Sequence, residues 1–194
     1  MMPTQKAFDT FEFANSIDLN KYSAILACGG DGSIFEVVNG MLMREDGKQL
    51  PIGYVPNGSG NTVGYQLGIE NVDEALDTVV AATASRFDVT RVLGDAEKDS
   101  DVPAGKAGFY QRKYSLCGLM SGFIPQMCND AIALKPYFGS ASYNIFFIKM
   151  LIKGDRPRYQ YDAVVDGKQM PKQEGEDYSI VTDAFYHLQT KFMA

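Results

Sequence analysis

The sequence predicts a mixed α/β protein with two lobes. Residues 1–84 are expected to form a Rossmann-like α/β lobe, because two apolar strand-like runs each lead into a glycine-rich turn and then an amphipathic helix. Residues 85–194 are expected to form a β-rich, sandwich-like second lobe, because alternating strand patterns and a hairpin signal become frequent there.

The first strand-turn-helix unit begins with the apolar run 22–28, which is typical of a buried parallel strand. The turn that follows reads Gly29-Gly-Asp-Gly32. Ser33 and Glu36 have the spacing of a capping box, and apolar residues follow them at helical intervals. A helix is therefore predicted to start at about Ser33.

The second unit has the same order, with a strand over 50–55 and a turn that reads Asn57-Gly-Ser-Gly-Asn61. Asn61 is a plausible N-cap for a short helix that stops at Gly68. Another amphipathic helix is predicted from an N-cap at Asn71 to about residue 83, since Glu74 lies three positions further on.

The rest of the chain changes character. Alternation over 87–92 predicts a strand, and the acidic stretch 94–105 is expected to be a surface loop or a disordered tip. The aromatic and aliphatic run 143–152 predicts a helix. Strands are expected over 159–165 and 178–185, with a hairpin turn at Asp166-Gly167.

The composition excludes several classes of protein. A formal charge of −6 and a pI near 4.8 argue against binding to nucleic acid, which depends on a basic face. The three cysteines have no metal-ligand or disulfide spacing and are expected to be small core residues of a reduced protein. We therefore expect an intracellular protein that is not secreted, in the cytoplasm or on a membrane, with a mitochondrial location left open.

The two glycine-rich turns carry the functional prediction. Glycines between a strand and a helix let the backbone approach a ligand and direct N–H groups at an anion, so two such turns predict a phosphate cradle beside a reactive carboxylate, Asp31. A P-loop is excluded because no lysine follows Gly60. The dinucleotide fingerprint is excluded because the last glycine, Gly64, has the wrong spacing.

The segments 29–40 (GGDGSIFEVVNG) and 56–61 (PNGSGN) together resemble the diacylglycerol kinase catalytic domain family, which includes sphingosine kinases, ceramide kinases and bacterial lipid kinases. NAD kinases and phosphofructokinases share a Gly-Asp-Gly turn, and the second segment favours the lipid-kinase branch. Weaker similarity extends over most of residues 20–185. The resemblance implies a two-domain kinase that binds ATP with Mg²⁺ between its domains and phosphorylates a lipid alcohol.

The resemblance also implies roles for individual residues. Asp31 corresponds to the residue that deprotonates or orients the acceptor hydroxyl, and Asp130 is a candidate for acceptor binding. No metal ligand is expected from the protein, because Mg²⁺ is carried largely by ATP. The residues that match nucleotide-binding positions are Gly29, Gly30, Gly32, Ser33, Glu36, Gly58, Ser59, Gly60 and Asn61.

The chain departs from the family pattern at several places. About 20 weakly patterned residues stand where the family has an additional strand and an Asn-Pro loop, and the family continues past this chain's last residues. Two family arginines are absent from the stretch Lys135–Gly139 and from Ser142. Three interpretations follow: an active lipid kinase with peripheral membrane contact, a degenerate homologue serving as a structural subunit of a larger complex, or a fragment of a longer kinase.

Overall fold

The fold is described by a computed structural model that covers residues 2–82, 84–93, 112–139, 141–153, 159–161, 164–165, 167–169, 173–175, 177–180 and 189–193. Its internal contacts divide the chain into two compact units. The first consists of Met1–Cys117 with Thr182–Ala194, and the second of Gly118–Val181. The boundary expected after residue 84 lies inside the first unit.

The first unit alternates helices and strands along the chain. A short 3-10 helix, Leu19–Lys21, follows the first α-helix. The α-helices are α1 (Asp9–Ser16), α2 (Asp31–Leu42), α3 (Thr62–Leu67) and α4 (Val72–Ala81). The strands are β1 (Ile25–Gly29), β2 (Ile52–Pro56), β3 (Ala84–Asp88), β4 (Thr90–Leu93), β5 (Arg112–Ser115) and, from the end of the chain, β12 (Gln189–Met193).

The main sheet of this unit has the strand order β1-β2-β12-β3. Strands β1 and β2 are parallel, with Ile25 opposite Ile52 and Gly29 opposite Pro56. Strand β12 is parallel to β2 and antiparallel to β3. The last strand thereby joins the N-terminal sheet, and this long-range pairing explains why the structural division differs from the one expected along the sequence.

The core of the first unit forms where α2 packs against the sheet. Ile34, Val38 and Ile52 are almost completely buried there. Asn39, also on α2, is completely buried, and its amide binds the backbone of Tyr114 in both directions: Oδ1 accepts from the N–H and Nδ2 donates to the carbonyl, each at 2.8 Å. This amide therefore acts as a strand partner for β5 and fixes α2 against it.

Helix α1 packs closely along α2. A β-carbon added at Gly40 would collide with the carbonyl oxygen of Phe11, so this position needs a glycine. Arg44 donates to the carbonyls of Ala14, Asn15 and Ile17 at the end of α1, over 2.7–3.1 Å. The same guanidinium binds Asp46 and lowers the pKa of that carboxyl to about 2.

Three predicted helix boundaries can be compared with the structure. The stop at Gly68 is confirmed, since Gly68 has φ +72 and follows α3 directly. The cap of α4 is confirmed, since Asn71 accepts from the Glu74 N–H at 2.9 Å. The capping box in α2 is wrong: the helix begins at Asp31 with Gly30 as N-cap, and Glu36 binds α1 instead of returning to Ser33.

The second unit contains three α-helices and several short strands in its described part. The helices are α5 (Phe123–Ile132), α6 (Lys135–Phe138) and α7 (Ala141–Lys153), of which α7 was predicted from its aromatic and aliphatic run. The strands are β6 (Leu119–Gly122), β7 (Tyr159–Tyr161), β8 (Val164–Val165), β9 (Lys168–Gln169), β10 (Gln173–Gly175) and β11 (Asp177–Ile180).

The hairpin expected at Asp166-Gly167 is confirmed, because β8 pairs antiparallel with β9 and Gly167 has φ +75. The β-rich character expected of the second lobe is not confirmed, since the longest elements of the described part are helices. The predicted loop 94–105 lies outside the described residues. In the described ranges no helix has both the length and the apolar character needed to cross a bilayer.

Candidate functional site

The two glycine-rich turns lie side by side at one end of the main sheet. Strands β1 and β2 are parallel neighbours, so both turns leave the same edge. The Asn57 N–H donates to the Gly29 carbonyl at 2.9 Å and joins them directly. We call residues 29–32 and 57–61 together the glycine cradle.

Glycine is required where the two turns meet. A β-carbon at Gly58 would collide with the backbone of Gly30, and one at Gly30 would lie 3.2 Å from the α-carbon of Gly58. The main chains are therefore in van der Waals contact, with no room for a side chain between them. Such an approach leaves backbone groups, and not side chains, at the contact between the two turns.

Asp31 connects the two turns through its side chain. It is the first residue of α2, where a negative charge is favourable at the positive end of the helix. Its Oδ1 accepts a hydrogen bond from the Val63 N–H at 3.0 Å, so it also caps the neighbouring α3. A β-carbon at Gly60 would lie 3.2 Å from Oδ2, which places the second oxygen beside the second turn.

Asn61 shapes the second turn from within. It is the predicted N-cap of α3, but its backbone is left-handed (φ +53) and its side chain makes no cap hydrogen bond. The side chain turns back instead: Oδ1 accepts from the Gly58 N–H at 2.8 Å and Nδ2 donates to the Gly58 carbonyl at 3.1 Å. The hydroxyl of Tyr54 adds a weaker donor to the same Oδ1 at 3.3 Å.

Glu36 accepts hydrogen bonds from residues at the start of α1. One carboxylate oxygen accepts from the Phe8 N–H at 3.3 Å, and the other accepts from the Thr10 hydroxyl. Both oxygens thus satisfy donors at the N-terminal end of a neighbouring helix, where backbone N–H groups lack partners within their own helix. Its predicted contact with a nucleotide stays a prediction.

The other predicted site residues fall into two groups. Ser33 lies against Gly29, since a β-carbon there would be 2.5 Å from the Ser33 hydroxyl oxygen. Gly32, Ser59 and Gly60 are exposed in the cradle. Asp130 is exposed on α5 in the second unit, and its role in acceptor binding stays a prediction.

Charge in the cradle affects two neighbouring groups. Burial, followed by the negative charge of Asp31, raises the pKa of Tyr54 to about 12. Desolvation and then the same charge raise the pKa of the Cys117 thiol. Although its thiol is partly desolvated, Cys117 is exposed as a whole residue, as is Cys28, which corrects the expectation that the cysteines are core residues.

Sequence reasoning missed Tyr54 and Asn39. Each could have been suspected because a polar group stands inside an apolar stretch, Tyr54 in a strand and Asn39 in the stripe of α2. Buried polar groups need hydrogen-bond partners, so such positions point to specific long-range contacts. In the described residues no group of three His, Cys, Asp or Glu side chains is placed to hold a metal ion.

Just under half of the chain matches a known protein family. Residues 1–92 match the model of the diacylglycerol kinase catalytic domain. Sphingosine kinase 1 from Arabidopsis thaliana is 31% identical over 144 residues, which cover 73% of this chain and 28% of that protein. The diacylglycerol kinase of Bacillus subtilis (strain 168) is 37% identical over 93 residues, covering 47% of this chain and 30% of that protein.

A crystal structure of a diacylglycerol kinase from Bacillus anthracis str. Sterne shares the fold, with a TM-score of 0.58 and 19% identity over 90% of this chain and 49% of that one. The chain thus spans less than a third of these two curated relatives and about half of the solved protein. The resemblance to the diacylglycerol kinase catalytic domain family is thus confirmed for residues 1–92, just under half of the chain.

Proposed function

We propose that this chain carries the phosphoryl-transfer site of a lipid kinase, which moves the γ-phosphate of ATP to the hydroxyl of a diacylglycerol or a sphingoid-type alcohol. The observation that carries the proposal is the position of the Asp31 carboxylate. One of its oxygens caps α3 and the other lies beside Gly60, so a single acidic group serves both turns of the glycine cradle.

The cradle suits a nucleotide phosphate chain. Ser59 and Gly60 are exposed, and the part of the chain that the structure describes offers their backbone N–H groups no hydrogen-bond acceptor. The first turn of α2 adds further N–H groups and the positive end of a 12-residue helix. Mg²⁺ would arrive with ATP and would neutralise charge on the phosphates.

Asp31 is the proposed base for the acceptor. The acceptor oxygen forms the new bond to the γ-phosphorus, the bond from phosphorus to the ADP oxygen breaks, and the hydroxyl proton passes to the free carboxylate oxygen of Asp31. Its Oδ1 is occupied by the Val63 N–H, which leaves Oδ2 for this role. General base catalysis of this kind contributes roughly 10²- to 10⁴-fold to a rate.

Two further residues receive supporting roles in the proposal. Glu36 is proposed to support nucleotide binding by holding the start of α1, because both of its oxygens already accept hydrogen bonds there. Asp130 is proposed to bind the acceptor, since its carboxylate is exposed on α5. Asp130→Asn should then raise KM for the lipid and leave the KM for ATP unchanged.

The proposal is tested by incubating the chain with radiolabelled ATP, Mg²⁺ and detergent-dispersed lipid alcohols of both types. Wild type should label at least one of them, and Asp31→Ala should reduce labelling by roughly 10²-fold or more. Asp73→Asn, which removes an exposed carboxylate from the first turn of α4 in the same unit, is the matched control and should keep full activity. Absence of labelling by the wild type would favour the degenerate homologue instead.

A further inference from the structure

The second unit exposes an apolar helix face that the phosphoryl-transfer proposal does not use. On α7 five large apolar side chains are solvent-exposed, and Ile152 is the most exposed at 81%. They form two adjacent rows at helical spacing, and we call them the α7 face. Its members are Ile145, Phe147, Ile148, Leu151 and Ile152.

Other residues of α7 are buried or partly buried within the second unit. Ser142 is completely buried and its hydroxyl donates to the Gly139 carbonyl at 2.8 Å, while Tyr143 and Phe146 are partly buried. Helix α7 packs against α5 and α6. The α7 face is thus the side that its own unit leaves uncovered in the described structure, and an exposed apolar patch of this kind marks an interaction surface.

The lysines around the α7 face favour a negatively charged partner. The chain has 24 acidic and 18 basic residues, yet residues 131–153 contain three lysines and no Asp or Glu. Two of these lysines lie over aromatic rings of α7: Lys149 Nζ is 4.7 Å from the Phe146 ring centre and Lys135 Nζ is 5.9 Å from that of Tyr143. The apolar face therefore has a positive border inside an acidic protein.

A second exposed apolar stripe gives an internal comparison. Val72, Leu76 and Val80 are exposed along α4, and Val80 is 84% exposed. The same helix carries the acidic residues Asp73, Glu74 and Asp77 and has no basic residue. An anionic surface would therefore repel α4 and attract α7, although both helices expose large aliphatic side chains.

We propose that the α7 face docks onto the surface of an anionic phospholipid bilayer, with its isoleucines and Leu151 among the acyl chains and its lysines at the headgroups. Amphipathic helices with this arrangement lie in the membrane interface, and each lysine near an anionic surface adds to the attraction. The choice of a lipid partner rests on the lipid-kinase proposal. The docking itself requires no ATP and no turnover.

The first test is co-sedimentation of the full chain, without ATP, with vesicles of phosphatidylcholine alone or with about one third phosphatidylserine. Wild type should bind the anionic vesicles, and Ile148→Asp with Ile152→Asp should weaken binding at least tenfold. Lys135→Glu with Lys149→Glu should remove the preference for phosphatidylserine. Val80→Asp is the matched control and should bind like wild type.

A second measurement does not depend on the folding of the aspartate variants. The chain has no tryptophan, so Ile152→Trp introduces a single fluorescent reporter on the α7 face and Val80→Trp does the same on α4. Anionic vesicles should shift the emission of the Ile152→Trp variant to the blue and leave that of the Val80→Trp variant unchanged. Brominated lipid should likewise quench the emission of the Ile152→Trp variant alone.

Three results would overturn the proposal. The first is that the double variant Ile148→Asp with Ile152→Asp binds anionic vesicles as well as wild type does, and the second is that the two tryptophan reporters respond equally. The third is self-association without lipid that the double variant abolishes, which would make the partner a second copy of the chain. Phosphoryl transfer to detergent-dispersed lipid is measured in parallel. If wild type transfers phosphate but does not bind vesicles, the docking proposal fails and the proposed function stands. If it binds vesicles but transfers no phosphate, the proposed function fails and the docking stands.

Discussion

The two turns of the glycine cradle reach their shapes in different ways. The first turn lies between β1 and the buried helix α2, and the packing of α2 in the core fixes it. The second turn is exposed and leads into a helix of only six residues. Its conformation depends on the hydrogen bonds of Asn61 within the turn and on two groups outside it, Asp31 and Tyr54.

This difference shows that the second turn is built on the first. Asp31 belongs to the first turn, yet its carboxylate caps the helix that follows the second. A change in the first turn should therefore disturb both, whereas a change in the second should leave the first in place. The following predictions test that dependence, from the largest expected effect to the smallest.

The strongest effect is expected from Asn39→Leu, which removes the buried amide that fixes α2. It leaves the N–H and carbonyl of Tyr114 without their side-chain partner, so the free energy of unfolding should fall by roughly 2–4 kcal/mol. Urea denaturation measures this loss, and Asn20→Ala at an exposed position is the control. If Asn39→Leu is as stable as wild type, the first turn does not depend on the hydrogen bonds between Asn39 and Tyr114.

Gly58→Ala should separate the two turns, because the added methyl group meets the backbone of Gly30. Overpacking of this kind costs roughly 1–3 kcal/mol, and binding of ATP should weaken with it. Gly32→Ala is the matched control for stability, since nothing lies within 4 Å of an added β-carbon there. If calorimetry gives equal thermal stability for both variants, the turns are not in contact as described.

Alkali should loosen the second turn through Tyr54. The pKa of its hydroxyl is raised to about 12 by burial and by Asp31, so the folded state resists ionisation that the unfolded state undergoes near pH 10. This contribution to stability is complete below about pH 10 and is lost as the pH rises towards 12, by about 2–3 kcal/mol.

Tyr54→Phe has no hydroxyl to ionise, so its stability should fall less than that of wild type over the same pH range. Urea denaturation of both proteins at pH values from about 9 to 11 gives the difference. Parallel loss of stability in the two proteins would exclude Tyr54 as the alkaline group and would assign the effect to other residues.

Local patterns were sufficient to predict a helix cap, a helix stop and a hairpin. The cap at Asn71, the stop at Gly68 and the hairpin at Gly167 depend on neighbours within four residues, and all three are confirmed. The pairing of the two turns could be expected as well, because parallel strands place their following turns at one edge of the sheet.

Contacts between residues far apart could not be predicted in this way. The spacing of Ser33 and Glu36 fits a capping box, but Glu36 finds donors 26 and 28 positions earlier in the chain. Strand β12 joins the first sheet from the other end of the sequence. The second unit was expected to be β-rich, yet α5 forms in a segment for which no element was predicted, since tertiary packing decides short apolar segments.

The most direct test of the account is single-turnover transfer by Asp31→Asn at saturating ATP. An asparagine oxygen can still accept the Val63 N–H, so the second turn and ATP binding should stay intact, but the amide cannot take the acceptor proton. We expect Asp31→Asn to bind ATP as tightly as wild type and to transfer phosphate roughly 10²-fold more slowly or worse. Transfer at the wild-type rate would contradict the assignment of Asp31 as the base.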